Sequence, residues 1–443
     1  MDEEELPELL EANDLAGIRQ WIDEHPSHVI ADELARLDAV KAGMLFRLLD
    51  KDDALEVFEE LDPVDQQQIL VGLRDQAFFE LVEGMDPDDR AKMLGEAPAK
   101  VAKRVLAGLS PKERRMTAAL LGYPDGSVGR IMTPETVALP INLTTGQALQ
   151  TIRAKGESAE TIYTLPVVDT GRRMIGAVEL RDVVLSELDA PLADLVDDEV
   201  LRARAADSAE DAARLMSEAN LLNLPIVDSE DRLLGFLTID DAMEVIEAAD
   251  TEDVARQSGA SPWVGHYMFA TVRQLAGARV IWLMLLLVAA VLTVAVTDFF
   301  EPLIDELPKL AAFVPLLIGT GGNAGAQAAT AAVRAIAVGE VRGSDLPRVI
   351  WRECRVGLLL GVALATAGML VAIFFAGWKI AVVVGVTLIA ICAWAATVGG
   401  TMPLAARKLG IDPAVVSAPM VTTLVDASGL IIYFLTARLV LGL

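Results

Sequence analysis

The sequence predicts a multidomain α and α/β membrane protein, in which soluble domains precede a bundle of five transmembrane helices. The first observation is a change of composition: residues 1–270 hold 55 Asp and Glu against 25 Lys and Arg, whereas residues 271–443 hold 9 acids and 12 bases. The second is a series of uncharged runs in the latter half, each about long enough to cross a bilayer. The third is the presence of two internal repeats in the acidic half.

The acidic half is expected in the cytoplasm. The opening residues, "MDEEELPELL", are acidic and lack the apolar core of a signal peptide. An acidic surface repels nucleic acid and attracts cations, so we expect cations and no nucleic acid as partners. Both cysteines, Cys354 and Cys392, lie in the apolar half, so neither a disulfide framework nor a zinc cluster is indicated.

Residues 1–125 are predicted to form an acidic helical-repeat domain. The segments "LDPVDQ", "MDPDDR" and "LSPKER" place Pro63, Pro87 and Pro111 at intervals of 24 residues. Each proline follows a good helix-capping residue, and an acid comes three residues after each cap. A unit of 24 residues fits a pair of short helices, stacked with its neighbours as a superhelix. Three independently capped helices are the alternative.

A clearer repeat follows. "LPVVDTGRRMIGAVELRDV" (165–183) aligns with "LPIVDSEDRLLGFLTIDDA" (224–242) at an offset of 59 residues. Each copy has the pattern of strand, turn, strand and helix, and a helical stretch precedes each. This arrangement resembles a tandem CBS pair, which we expect to comprise 128–188 and 189–249.

The resemblance to CBS pairs implies a nucleotide site. Such pairs often bind adenosine nucleotides in the cleft between the copies, and the matching positions are Tyr163, Arg181 and Asp182. ATP is therefore a candidate regulator. A ligand-free, purely structural pair is the alternative, and the sequence does not choose between the two.

The transmembrane domain is expected at 276–443. Five uncharged runs predict its helices: Val280–Thr297, Leu310–Val333, Val356–Trp378, Ile380–Ala406 and Pro413–Ala437, the last interrupted only by Asp426. Arginine and lysine cluster before the first run, between the second and third, and between the fourth and fifth. The positive-inside rule then places the N-terminus in the cytoplasm and the C-terminus outside the plasma (inner) membrane.

Polar groups within these runs predict an ion path. Asp426 lies near the middle of its run, where a charge is costly unless it faces a partner or water. The second run contains "GTGGNAGAQAAT", with Asn323 and Gln327. One interpretation is close helix packing through small residues. We favour the other, an unwound segment whose carbonyls and amides line the path.

The order of domains resembles the MgtE family of magnesium channels along essentially the whole chain. The motifs that carry the resemblance are "PLLIGTGGNAGAQAAT", "DPAVVSAPMVTTLVDASGL" and "GFLTIDDAMEVIEAADTEDV". It implies a homodimer in membrane lipid with one central pore, where Asp426 helps to hold hydrated Mg²⁺. It also implies that Mg²⁺ bound among cytosolic acids closes the pore through a connecting (plug) helix, expected at 250–275.

Two departures from the family bear on ion selectivity. The family usually has Asn at the position of Ala418, and often at that of Ala326. Both would be pore-facing amides. Their replacement leaves Asn323, Gln327 and Asp426 as the pore residues.

A run of acids after the second CBS copy predicts a cation sensor. At helical spacing Asp241 and Glu244 share a face, so their repulsion would be relieved by a bound cation. The family's sensor acids match Asp241, Glu244, Glu252 and Asp253, and one falls on Ala249, beside Asp250. The acids expected to face them from the helical domain are Glu83, Asp86, Asp88 and Asp89. A merely solvated acidic face is the alternative.

We therefore predict a magnesium or divalent cation channel that closes when Mg²⁺ binds its cytosolic domains. A cation-coupled secondary transporter regulated by a nucleotide-binding CBS pair is the alternative. An intramembrane enzyme is not expected, because the apolar runs hold no His and a single acid.

Overall fold

The computed structural model describes residues 5–12, 14–72, 75–261 and 270–442. The chain divides into two compact units, an N-terminal unit, Met1–Ala249, and a C-terminal unit, Asp250–Trp263 with Thr271–Leu443.

Short helices form the first domain of the N-terminal unit. They are α1 (Glu5–Ala12), α2 (Leu15–Glu24), α3 (Ser27–Ala35), α4 (Ala39–Phe46), α5 (Lys51–Glu59), α6 (Pro63–Gly72), α7 (Asp75–Gly84), α8 (Pro87–Glu96), α9 (Ala99–Gly108) and α10 (Pro111–Leu120). Helices α4, α6, α8 and α10 pack in one row, and α3, α5, α7 and α9 pack in another. The predicted stack of helix pairs is therefore confirmed, and three separate capped helices are excluded.

The repeated prolines begin α6, α8 and α10, as the 24-residue period predicts. Ser110 caps α10 by accepting the backbone N–H of Glu113 at 3.3 Å. Asp86 occupies the expected N-cap position of α8, but its side chain makes no capping hydrogen bond. The physical reason is that the Asp86 carboxylate lies among other acids, with oxygens within 4.8 Å of those of Glu59 and Asp89.

Two copies of one small α/β motif follow, and their residues up to Ala249 belong to the N-terminal unit. Its elements are β1 (Leu139–Pro140), α11 (Thr145–Lys155), β2 (Thr164–Val168), β3 (Met174–Glu179), α12 (Leu180–Leu185), β4 (Ala203–Arg204), α13 (Ala209–Ala219), β5 (Asn223–Val227), β6 (Leu233–Thr238) and α14 (Ile239–Gln257). The strand orders are β1-β2-β3 and β4-β5-β6, each with one parallel and one antiparallel pair.

The two copies repeat in backbone detail as well as in sequence. The Asp169 carboxylate accepts two backbone N–H groups of its turn at 2.7 and 2.9 Å, and that of Asp228 does so at 2.8 and 2.9 Å. Arg172 and Asp231 both adopt the left-handed conformation, with φ of 63° and 59°. Each aspartate thus anchors the same hairpin turn, which explains its recurrence at one offset.

Long helices form the C-terminal unit. They are α15 (Val272–Phe299), the short α16 (Glu301–Glu306), α17 (Val314–Ala337), α18 (Leu346–Ala376), α19 (Trp378–Lys408) and α20 (Ala418–Leu441). Within the described residues, α15, α18, α19 and α20 are long and apolar enough to cross a membrane. Helix α17, the second predicted span, has 24 residues, but its glycines and amides make it less apolar.

The unwound segment predicted in the second span is wrong, because α17 is a continuous helix. Its glycines allow neighbouring helices to approach. A Cβ on Gly399 of α19 would lie 2.2 Å from the carbonyl oxygen of Gly325, and one on Gly321 would lie 2.4 Å from Cγ2 of Ile391. Close packing through small residues is therefore the correct alternative.

The connecting helix expected at 250–275 is described only in part. Residues 250–257 are the end of α14, and residues 272–275 are the start of α15, which Thr271 caps by accepting the Gln274 N–H at 3.3 Å. Residues 262–269, the middle of the expected helix, lie outside the described residues.

Candidate metal sites

A cavity of about 320 Å³ in the N-terminal unit is lined almost entirely by carboxylates. We name it the acid cavity. Its lining residues are Ser27, Glu56, Glu59, Glu60, Asp86, Asp88, Asp89, Glu160, Asp240, Asp241 and Glu244. They come from the helical domain, from the segment before β2 and from the first turns of α14. The cavity therefore joins two domains that lie far apart in sequence.

Two groups of three carboxylates approach most closely. Oxygens of Glu59, Asp86 and Asp89 lie within 4.8 Å of one another, and so do oxygens of Asp88, Glu160 and Asp241. A set of carboxylate oxygens suits a hard divalent cation such as Mg²⁺ or Ca²⁺, which prefers oxygen ligands.

Helix starts bring several of these acids into the cavity. Asp88 and Asp89 lie in the first turn of α8, just after the repeated proline, and Asp241 lies in the first turn of α14. Negative side chains are favoured there, because the first N–H groups of a helix carry partial positive charge. The Thr238 hydroxyl also donates to Asp241 at 2.8 Å.

The electrostatics of the cavity disfavour ionised carboxylates. Burial, with smaller contributions from neighbouring acids, raises the pKa of Asp89 to about 8 and those of Glu59 and Asp241 to about 7. Burial likewise raises the pKa of Asp86 and of Asp88. A cation that binds here would therefore replace protons and relieve the repulsion between the acids.

Asp88 presents a buried oxygen atom whose hydrogen-bonding capacity is unused in the described part of the chain. Its side chain is 4 % exposed, and within the described residues its Oδ1 atom has no hydrogen-bond partner. An unpaired buried acceptor costs free energy that a metal ligand bond would recover. At the rim, the Lys92 ammonium group donates to Glu244.

The structure gathers some of the predicted sensor acids and separates others. Those that line the acid cavity are Asp86, Asp88, Asp89, Asp241 and Glu244. Glu83 is exposed and is not among the lining residues, and its backbone carbonyl accepts a hydrogen bond from Arg90 at 3.3 Å. Asp250, Glu252 and Asp253 lie further along α14, where Glu252 accepts a hydrogen bond from Arg256.

Sequence reasoning missed several cavity residues. For Glu59 the signal was present, because the 24-residue repeat places it at the position of Glu83 in the preceding copy. The backbone N–H of Asp86 donates to Glu59 at 3.0 Å, so each acid comes from a different copy. Glu160 carries no such signal, since only the tertiary fold places the segment before β2 beside α8.

The predicted pore residues lie on two contacting helices, α17 and α20. A Cβ on Gly322 of α17 would lie 3.6 Å from Oδ1 of Asp426, so the backbone of α17 passes close to this half-buried carboxylate. Asn323 and Gln327 occupy one exposed stripe of α17, four residues apart. The helical backbone therefore offers side chains, and no unwound carbonyls, along this face.

The three predicted nucleotide-binding residues meet at one edge of the first α/β copy. Tyr163 precedes β2, and its carbonyl accepts the N–H of Leu180, the residue before Arg181 and Asp182, at 2.9 Å. All three side chains are exposed, Tyr163 to 65 %. An aromatic ring, a guanidinium and a carboxylate are groups of the kind that contact a base or a ribose, so the nucleotide site stays a prediction.

Family comparisons match all three regions of the chain. Residues 314–436 match a family described as divalent cation transporter, residues 25–126 match the MgtE intracellular N domain, and 128–188 and 192–248 each match the CBS domain.

Individual relatives extend these matches over the whole length. The magnesium transporter MgtE of Thermus thermophilus is 36 % identical over 98 % of this chain and 98 % of its own. That of Bacillus subtilis is 27 % identical over 96 % of this chain and 94 % of its own. A crystal structure of the cytosolic domain of the Mg²⁺ channel MgtE in complex with ATP is 31 % identical, with a TM-score of 0.51. It covers 54 % of this chain and 98 % of that one.

Proposed function

The chain belongs to the MgtE family of magnesium transporters, and we propose that α17 and α20 line its ion path while the acid cavity senses the ion. It is a membrane transporter and not an enzyme. Both assignments of residues rest on the geometry of the two regions.

The observation that carries the pore proposal is the placement of polar groups on apolar helices. Asp426 lies against the glycine backbone of α17, and Asn323 and Gln327 form an exposed stripe beside it. Polar side chains at this depth require a partner or water. A second copy related by a two-fold axis along the membrane normal would face this stripe and present two Asp426 carboxylates to one path. The proposed assembly is therefore a homodimer.

Such a path suits Mg²⁺, which sheds its hydration water reluctantly. Two carboxylates and four amides per dimer can contact a hydrated ion through its water and release it again. Ala326 and Ala418 supply no further amide, so selectivity depends on Asp426 and the α17 stripe.

The acid cavity supports a sensor of cytosolic Mg²⁺. An ion bound between Asp88, Glu160 and Asp241 would join the helical domain to the first turn of α14. Without a cation these carboxylates repel one another. A bound ion therefore favours the arrangement in which the helical domain lies close to the first turn of α14. We propose that this arrangement closes the pore, which would make uptake stop when cytosolic Mg²⁺ is plentiful.

The relatives favour this assignment over a coupled exchanger. They are named as magnesium transporters, and the structural relative is named as a Mg²⁺ channel. The ATP in that structure supports ATP as a regulator here, bound at Tyr163, Arg181 and Asp182. The basic loops support an N-terminal unit in the cytoplasm and a C-terminus outside.

Flux into liposomes tests the transport proposal. The purified protein should carry Mg²⁺ along its gradient at a reversal potential set by Mg²⁺ alone, with no dependence on Na⁺ or proton gradients. Millimolar Mg²⁺ on the side of the acid cavity should suppress the flux. A reversal potential that moves with Na⁺ or pH would overturn the channel proposal and restore the exchanger.

A further inference from the structure

The last turn of α14 is tied to the turn between α19 and α20 by one arginine. The Arg256 guanidinium donates through Nη1 to the Asp412 carboxylate and through Nη2 to that of Glu252. Asp412 lies between α19 and α20, whereas Glu252 lies one turn before Arg256 on α14. The planar guanidinium can serve both carboxylates at once, a geometry that lysine cannot reproduce.

Asp412 is held rigidly on its other side. Its Oδ1 atom accepts the backbone N–H of Ala414 at 2.9 Å, at the start of the short helical turn Pro413–Val415. Ser417 follows and caps α20 by accepting the N–H of Met420 at 3.3 Å. The arginine therefore contacts the chain only a few residues before the helix that carries Asp426.

The chain that leaves α14 makes a second contact with the start of α20. Gly259 adopts a φ of +68°, which turns the chain. A Cβ on this glycine would lie 3.4 Å from Cγ of Pro419 and 3.6 Å from Oγ of Ser417. The ion pair and this backbone contact both join the end of α14 to the first turn of α20.

We propose that Arg256 is a positioning residue that fixes α14 to the start of the pore helix α20 without a metal ion. Helix α14 (Ile239–Gln257) carries Asp241 of the acid cavity in its first turn and Arg256 in its last turn. The same helix therefore carries an acid of the cavity and the arginine that contacts Asp412. In this role Glu252 orients Arg256 and is not a sensor ligand. This inference rests on the proposed function.

Removal of the arginine should weaken the response of the pore to cytosolic Mg²⁺. In Arg256→Gln the Mg²⁺ concentration that half-closes the pore should rise about fivefold, the scale expected of a partly exposed ion pair. Asp412→Asn keeps the cap on Ala414 and should produce a similar shift. The double variant should shift no further than either single one, and Arg256→Asp with Asp412→Arg should restore part of the response.

Arg348→Gln is the matched control. Its side chain is 88 % exposed and pairs with Asp345 three residues earlier, so the half-closing concentration should not change. An unchanged response in Arg256→Gln, or additive shifts in the double variant, would overturn the role of Arg256 and leave the proposed function intact.

A cross-link tests the contact independently of flux. Cysteines at 256 and 412, with Cys354 and Cys392 replaced by Ala, should be joined by a bis-methanethiosulfonate reagent whose spacer replaces the length of the arginine side chain. A protease site inserted beside the exposed Glu340 would then leave the two fragments joined until they are reduced. Fragments that separate without reduction would refute the contact. If the wild-type flux shows no response to Mg²⁺ although the cross-link forms, the proposed function fails, and the role of Arg256 fails with it.

Discussion

The N-terminal unit gathers ten carboxylates around one cavity, whereas the run that forms α20 contains one carboxylate, Asp426, beside the glycines of α17. The two regions suit different tasks. A crowded set of buried acids gains most from a cation that stays bound, because the ion relieves their repulsion. A single carboxylate per chain attracts an ion and also allows it to leave.

The largest expected effect comes from removal of the pore carboxylate alone. Asp426→Asn keeps the shape of the side chain but removes two charges from a dimeric path, so Mg²⁺ flux should fall by more than roughly tenfold. Insertion and dimerisation should persist, because no charge is left uncompensated. Flux into liposomes at equal protein incorporation measures this.

Glu340→Gln removes an exposed acid from the turn after α17 and serves as the control, with flux expected to stay at the wild-type level. In both variants Mg²⁺ should still protect the N-terminal unit from protease. Wild-type flux in Asp426→Asn would show that the ion does not pass this carboxylate.

The second-largest expected effect is that the stability of the N-terminal unit and its affinity for Mg²⁺ depend on pH. The pKa values of Glu59 and Asp241, about 7, and of Asp89, about 8, lie above those of free carboxyl groups. The metal-free unit is therefore most stable at pH values below the ordinary carboxyl pKa of about 4, its stability declines as the pH rises from there to 7 or 8, and it levels off above the raised pKa values. Bound Mg²⁺ should cancel that decline.

Because Mg²⁺ must displace these protons, its apparent affinity should be about tenfold higher at pH 8 than at pH 6. The midpoint of protease protection in a Mg²⁺ titration measures the affinity at each pH. A midpoint that is the same at both would mean that the cavity acids are ionised throughout this range and bear no linked protons.

The smallest expected effect is a difference in protective Mg²⁺ concentration between variants of two acids that occupy the same position of the helical repeat. Glu59→Gln removes a charge that lies within 4.8 Å of Asp86 and Asp89, so the protective Mg²⁺ concentration should rise about fivefold. Glu83→Gln changes the equivalent acid outside the cavity and should shift it by less than about twofold. Equal shifts would mean that general acidity, and not the cavity, attracts the ion.

Periodicity made most of the fold predictable. The prolines at 24-residue intervals identified the starts of α6, α8 and α10, and the offset of 59 residues identified both α/β copies. Uncharged runs located the long apolar helices. Each of these signals is local, because it depends on the spacing of residues within one or two elements.

The sequence-based predictions were wrong or incomplete where a feature depends on contact with residues that are distant in the sequence. The glycines of α17 favoured an unwound segment, whereas α17 is a continuous helix whose glycines allow α19 to approach closely. Glu160 and Asp412 were missed for the same reason, since neither belongs to an acid run whose partner the sequence reveals. The predicted acids that do line the cavity, such as Asp88 and Asp241, belong to helix starts with several acids in a row.

The central claim is that one set of carboxylates senses the ion and another conducts it. The most direct measurement is the flux of a variant with Asp88→Asn, Asp89→Asn and Asp241→Asn, in low and in high Mg²⁺ on the side of the N-terminal unit. We expect wild-type flux in low Mg²⁺ and the same flux in high Mg²⁺, where the wild-type protein closes. A variant that still closes in high Mg²⁺, or that no longer conducts in low Mg²⁺, would contradict this division of tasks.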